Sequence, residues 1–252
     1  MIRRLLVSAT ALTLLLTYSP DAAHSAEGGV TVTGRVELPV VAQRAPAPKR
    51  GQGFVPRAKN PVRPPDGLNP LPQVVIVLSG GPVDESDKKP RSSRNNIIGE
   101  NFASEILPVV VGGKVEIKNM GLKAPRLYST FADDVVPSDP INKKGVRVTK
   151  AITEKHTPID IRDHESVHFL AHIVAFEHAY FAVPDHSGKF EITGVPAGNW
   201  KVKVWYRDGW VTNLPKISVS VSGKRAPKAI KVALPAKLKT TATKAAKKDA
   251  AR

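Results

Sequence analysis

Apolar and polar residues alternate along much of this chain with a period of two. Val30-Thr31-Val32-Thr33-Gly34-Arg35-Val36-Glu37 sets valines against polar neighbours. Phe190 and Ile192 alternate with Lys189, Glu191 and Thr193. After the turn signal Val195-Pro196-Ala197-Gly198, Trp200, Val202, Val204 and Tyr206 alternate with Lys201 and Lys203. Successive side chains on a strand point to opposite faces, so these segments predict half-buried antiparallel strands. Further strands are predicted at Lys114 to Lys118 after Gly112-Gly113, around Ile159 and Ile161, and at Ile217 to Val221 before Gly223. Val74 to Leu78 is a short apolar run bounded by Pro72 and Gly80-Gly81. Many short strands with turns between them predict an all-β chain of sandwiches rather than a parallel sheet. One stretch has a helical period instead: Val167, Leu170, Ala171 and Val174 are spaced i, i+3, i+4, i+7, with His164, His168 and His172 in a second row.

The ends of the chain read differently from its middle. Met1-Ile2-Arg3-Arg4 is basic, Leu5 to Thr17 is apolar but shorter than a bilayer span, and Ala22-Ala23-His24-Ser25-Ala26 suits cleavage, so residues 1–26 are expected to be a secretory signal peptide. Cleavage removes two arginines and one aspartate, lowering the formal charge from +16 to +15. An exported chain of that charge meets lipid head groups, cell-wall polymers and acidic polysaccharides rather than nucleic acid. A basic Pro-rich insert at 45–69 and a Lys/Ala/Thr-rich tail at 235–252 have little apolar surface to offset the entropy of ordering, and both are expected to be disordered. The chain has no cysteine, which excludes disulfides, a lipoprotein anchor and thiolate metal sites.

The run from Asn101-Phe102 through Ile106-Leu107-Pro108-Val109-Val110-Val111-Gly112-Gly113 to Lys118-Asn119, followed by Leu127-Tyr128-Ser129, resembles the opening half of bacterial cupredoxin-like (plastocyanin-related) periplasmic proteins. Phe181 through Asp185, Gly188, Phe190, Val195-Pro196-Ala197-Gly198 and Trp205 resembles a prealbumin/carboxypeptidase-regulatory-like β-sandwich, and Val32-Thr33-Gly34-Arg35-Val36 its first strand. The resemblance implies a Greek-key sandwich at 95–178 inserted into a second sandwich made of 27–94 and 179–234. It also implies a copper site, from which this chain departs. Pro125 and Arg126 stand where the family has its first histidine. Counting back without a gap from His178-Ala179-Tyr180-Phe181 puts Asp163, Ser166 and Phe169 at the positions of a Cys-x-x-His-x-x-Met loop. A gap moves the second histidine onto His164 or His168, but no gap supplies a cysteine. Type 1 copper needs that thiolate and is excluded by composition, so no cofactor is expected.

His164-Glu165-Ser166-Val167-His168 also fits the H-E-x-x-H pattern of zinc proteases, which works when a helix puts both histidines on one face and the glutamate acts as general base. Zinc or oxidised copper bound through some of His164, His168, His172, His178 and His186 is a third reading. Trp205 shares its strand face with Lys203 and Arg207, a cationic patch that suits a partner or a sugar ring if the ring is exposed. Asp133-Asp134, Asp160, Asp163 and Glu165 show no catalytic spacing, and no phosphate loop or nucleophile turn is present. The expectation is therefore a periplasmic or secreted non-enzymatic protein that binds or scaffolds. Its expected partners are anionic envelope material or another periplasmic protein, with peripheral membrane contact. Metal delivery and zinc proteolysis are the alternatives.

Overall fold

The apolar run at Val74–Ser79 does not alternate because both of its faces are covered. Val74, Ile76 and Leu78 enter one core, while Val75 and Val77 enter another. In the computed structural model, which describes residues 29–39, 70–129, 135–166, 169–223 and 225–241, this segment is strand β2. It follows β1 (Val30–Glu37) and precedes β3 (Ser93–Ile98), β4 (Asn101–Phe102), β5 (Ile106–Val110), β6 (Val115–Asn119), β7 (Leu127–Ser129) and β8 (Val146–Val148). The chain continues through β9 (Ile159–Asp163), β10 (Leu170–Phe176), β11 (Phe181–Ala182), β12 (Lys189–Val195) and β13 (Gly198–Tyr206). The last strands are β14 (Gly209–Trp210), β15 (Ile217–Val221) and β16 (Ile230–Ala233). Apart from short 3-10 turns at Leu71–Gln73 and Glu85–Lys88, the described residues contain no helix, so the fold is all-β.

The strands form four sheets. One has the order β12-β1-β16; a second has β11-β2-β13-β14, with β15 also paired to β13. Between them lie Val32, Val36, Ile76, Leu78, Phe190, Trp200 and Val204. The third sheet, β5-β10-β9-β7, and the fourth, β4-β3-β6-β8, enclose Ile97, Val115, Ile117, Ile161, Ala171 and Ile173. The outer faces of the second and third sheets then pack on each other through Val75, Val77, Ile106, Val174, Phe176 and Trp205. The result is two sandwiches joined by a third core, and each fully buried large apolar side chain contributes roughly 1.5–3 kcal/mol. One sandwich takes its strands from both ends of the chain (β1, β2, β11 to β16), and the other is built from β3 to β10. Gly34 of β1 is required by close packing, since a Cβ there would lie 2.3 Å from the Phe190 ring and 2.7 Å from the Ile230 carbonyl.

Three expectations need correction. The helical period through His164 to His172, on which the zinc-protease alternative rests, is not realised among the described residues: β9 ends at Asp163, β10 starts at Leu170, and residues 164–166 are not helical. The apolar spacing arises because β10 is buried on both faces, Ala171 and Ile173 in one core and Val174 and Phe176 in another. The boundary at 94/95 falls inside β3, whose Ser93 and Arg94 already pair with Val115 and Glu116. Residues 235–241, assigned to the disordered tail, are instead tied to the body. Thr212 N donates to the Lys239 carbonyl at 2.8 Å, Thr241 N to the Trp210 carbonyl at 2.9 Å, and Leu238 packs against the first core. The expected leader at 1–26, the expected disordered insert at 45–69 and the rest of the tail lie outside the described residues.

Candidate functional site: a closed loop corner

β6 ends at Asn119, whose fully buried side chain organises the loops beyond it. Its Nδ2 donates to the carbonyls of Lys123 and Ile141, each at 2.6 Å, and its Oδ1 accepts the Gly121 N–H at 2.8 Å. Antiparallel pairing of β7 with β9 sets Leu127 opposite Asp163 and so brings Arg126 beside Asp163. Arg126 N donates to Asp163 Oδ1 at 2.9 Å, while Glu165 N and Ser166 N donate to Oδ2 at 3.3 and 3.1 Å. His164 N returns a bond to the Arg126 carbonyl at 3.1 Å, and the His164 ring lies 4.5 Å from that of Tyr128. Phe169 is buried edge-on against Phe102 with ring centroids 4.5 Å apart. Arg126, Asp163 and Ser166 thus meet at one corner, with Phe169 bonded through its N–H to the Ser166 carbonyl at 3.1 Å, and these side chains do not suit type 1 copper. The corner offers a carboxylate engaged by three backbone N–H groups and a buried phenyl ring, neither of which is the soft sulfur donor that type 1 copper needs.

Among the described residues the candidate metal ligands do not converge. His164 is exposed on the loop, His172 sits on β10, and His186 is exposed in the turn from Asp185 to Gly188; His168 lies outside the described residues. His172 Nδ1 pairs with Asp160 Oδ1 at 2.7 Å. Burial opposes ionisation of Asp160, but His172 and then Arg162 outweigh it and hold the carboxyl below its usual range. Asp185 accepts from Ser187 N, Ser187 Oγ and Lys189 N and so closes the turn that carries His186. His178 is buried, accepts the Tyr180 N–H at Nδ1, and has its pKa lowered by that burial. Among the described residues no three His, Cys, Asp or Glu side chains are grouped to hold a metal ion.

Trp205 does share a face of β13 with Lys201 and Lys203, but it is not exposed. The sandwich built from β3 to β10 covers that end of the face, leaving Trp205 0% accessible. Its Nε1 donates to the Arg207 carbonyl at 2.8 Å, and its ring meets Trp210 edge-on at 5.2 Å. Lys203 lies 5.5 Å from the Trp210 centroid. Arg207 Nε donates to Gln73 Oε1, and Gln73 Nε2 donates to Glu105 at 2.7 Å, which ties the two sandwiches together. This patch is therefore part of the joint. His156 belongs to it as well, stacked on Trp205 and edge-on to Trp210 at 5.1 Å, with burial lowering its pKa. No sequence pattern marks His156; the only local signal is its positive φ of 56°, visible once the chain is folded.

An open cleft of about 1420 Å³ runs along the outward residues of β1 and β12. Arg35, Arg91, Lys189, Lys228 and Lys231 face it, along with Glu37, Asp87, Asp185 and Glu191. At its wall the buried Asp87 accepts the Tyr180 hydroxyl at 2.5 Å and pairs with Arg91 at 3.1 Å. Sequence reasoning missed this trio because Asp87 and Tyr180 lie 93 positions apart. Comparison with known protein families finds no match to this chain, and comparison with curated proteins finds none either.

Proposed function

We propose that this chain is an exported, non-enzymatic envelope protein that binds or scaffolds through charge. In this reading a degenerate cupredoxin-like sandwich is joined to a carboxypeptidase-regulatory-like one. The observation that carries it is Asp163: at the position where the resembling family places its thiolate, a carboxylate is engaged by the N–H groups of Arg126, Glu165 and Ser166. That corner acts as a structural clamp, which leaves recognition to the surface. The cleft beside β1 and β12 supports the same reading, since Arg35, Lys189 and Lys231 are presented on strands, with Lys228 in the loop before β16, together with threonines that can hydrogen-bond a polymer. The partner class is anionic envelope material, and steering toward it weakens with salt. Binding to soluble polyphosphate, measured at rising salt, tests the reading. Lys189→Glu with Lys228→Glu should weaken binding severalfold at low salt and reduce its salt dependence. Unchanged affinity in that double variant, or no binding by the parent protein, would refute it.

A further inference from the structure

The fourth sheet turns one face to solvent, and its end is apolar. Parallel pairing of β3 with β6 sets Ile97 opposite Asn119, both buried, and the backbone continues with Met120 N donating to the Ile97 carbonyl at 2.8 Å. Ile98 and Met120 are therefore neighbours on the outward face, 61% and 52% exposed. Leu122 follows in a loop seated against Gly99, where a Cβ on Gly121 would lie 2.7 Å from the Gly99 carbonyl oxygen. Leu122 is 83% exposed. This loop is held, not loose: the Asn119 side chain clamps it from within, and Lys123 bonds Glu100 at 2.5 Å across the tip. The ordered loop thus presents the most exposed large apolar side chain among the described residues, Leu122, which belongs to none of the three cores.

Charge around the tip identifies what covers it. Lys118 lies in the next row of the same face, opposite Val146 of β8. Lys144 N bonds the Asn119 carbonyl at 2.8 Å, which places the Lys143-Lys144 turn beside Met120. Lys123 completes the ring. Opposing acids are Glu100, engaged by Lys123; Glu116, engaged by Arg94; and Asp163 and Glu165, whose charges reach Lys123 from the β9 loop. Asp163 is itself engaged by backbone N–H groups. Apolar side chains at the centre with lysines at the rim match a membrane interface, where the apolar groups enter the acyl boundary and ammonium groups meet anionic head groups.

We infer that the Ile98–Met120–Leu122 tip docks onto an anionic lipid surface. The inference rests on the envelope reading above but concerns a different surface from the cleft. The test uses the protein as processed by the expressing cell, co-sedimented with vesicles of phosphatidylglycerol mixed with phosphatidylcholine, and with phosphatidylcholine alone. The parent should bind the mixed vesicles. Met120→Asp with Leu122→Asp should lower partitioning by about tenfold or more, because insertion scales with buried apolar area, while polyphosphate binding and melting temperature stay unchanged. Met120→Ser with Leu122→Ser provides the same readout if the acidic pair folds poorly. Polyphosphate binding without vesicle binding would overturn the tip assignment and leave the envelope reading standing, whereas loss of both would overturn both. Equal vesicle binding by the serine variant would assign the contact to charge alone and refute the inference. Self-association abolished by the same substitutions would give the tip to a second copy and refute it too.

Discussion

Replacing Tyr180 by Phe removes one oxygen from a buried, charge-assisted hydrogen bond and little else. The phenolic hydroxyl donates to Asp87 Oδ2 at 2.5 Å, and the Asp87 side chain, 5% exposed, has Arg91 at 3.1 Å on its other oxygen. Phe keeps the ring that packs edge-on against Trp200 at 5.1 Å, so the packing contribution is retained. A hydrogen bond to a charged group contributes about 1.5–3 kcal/mol. For a fold of this size each kcal/mol moves the melting temperature by about 2–4 °C, so Tyr180→Phe should lower it by roughly 3–12 °C. Guanidinium unfolding should show a lower midpoint with an unchanged m-value. Burial first, and then the Asp87 bond, raise the phenol pKa above its ordinary value. The folded state therefore holds the proton more tightly than the unfolded chain. Its contribution is complete below the unfolded pKa of about 10 and is lost as pH rises beyond it toward the folded value. The gap between parent and variant should be constant through neutral pH and close above about 10. An unchanged melting temperature, or a gap that widens in alkali, would refute the reasoning.

Acid should also loosen the fold, because burial lowers the pKa of both His156 and His178. Depressed folded values stabilise above the unfolded pKa of about 6.5 and cease to do so as pH falls below it. His156→Asn, which keeps a residue tolerant of positive φ, should flatten that acid limb in thermal melts; an unchanged slope would count against the aromatic joint. Truncation after Thr241 should leave the melting temperature in place, whereas truncation after Leu234 should lower it by removing Leu238 and the bonds to Thr212, Asn213 and Trp210. Equal melting temperatures for the two truncations would disprove the docking of 235–241. Asp163→Ala should cost about 0.5–2 kcal/mol, as for loss of a helix cap, and speed amide exchange at Arg126 and Ser166. Unaltered exchange at both would remove its role as a clamp.

Strands were legible where one face meets solvent, as at β1 and β12, because alternation records the difference between the faces. They were harder to read where both faces are covered. β10 lost its alternation to the joint between sandwiches, and its apolar spacing then imitated a helix at Val167 to Val174. Trp205 shows the same limit: its face was readable from Lys201 and Lys203, but its burial depends on a sheet supplied by residues 106–176. Asp163 could be placed by counting, and its partners Glu165 N and Ser166 N are local, whereas Arg126 N could not be foreseen, since it arises from the pairing of β7 with β9. The Asp87–Tyr180 bond and the Ile98–Met120 neighbours join distant segments, and no local pattern encodes them.

Metal content and visible spectrum of tag-free protein, produced with copper and zinc supplied in excess, test the central claim most directly. With Asp163 engaged as a clamp and His164, His172 and His186 on separate elements, the account predicts well under one metal ion per chain and no intense copper-thiolate band. A stoichiometric metal that survives dialysis and is lost on His164→Ala or His172→Ala would contradict it.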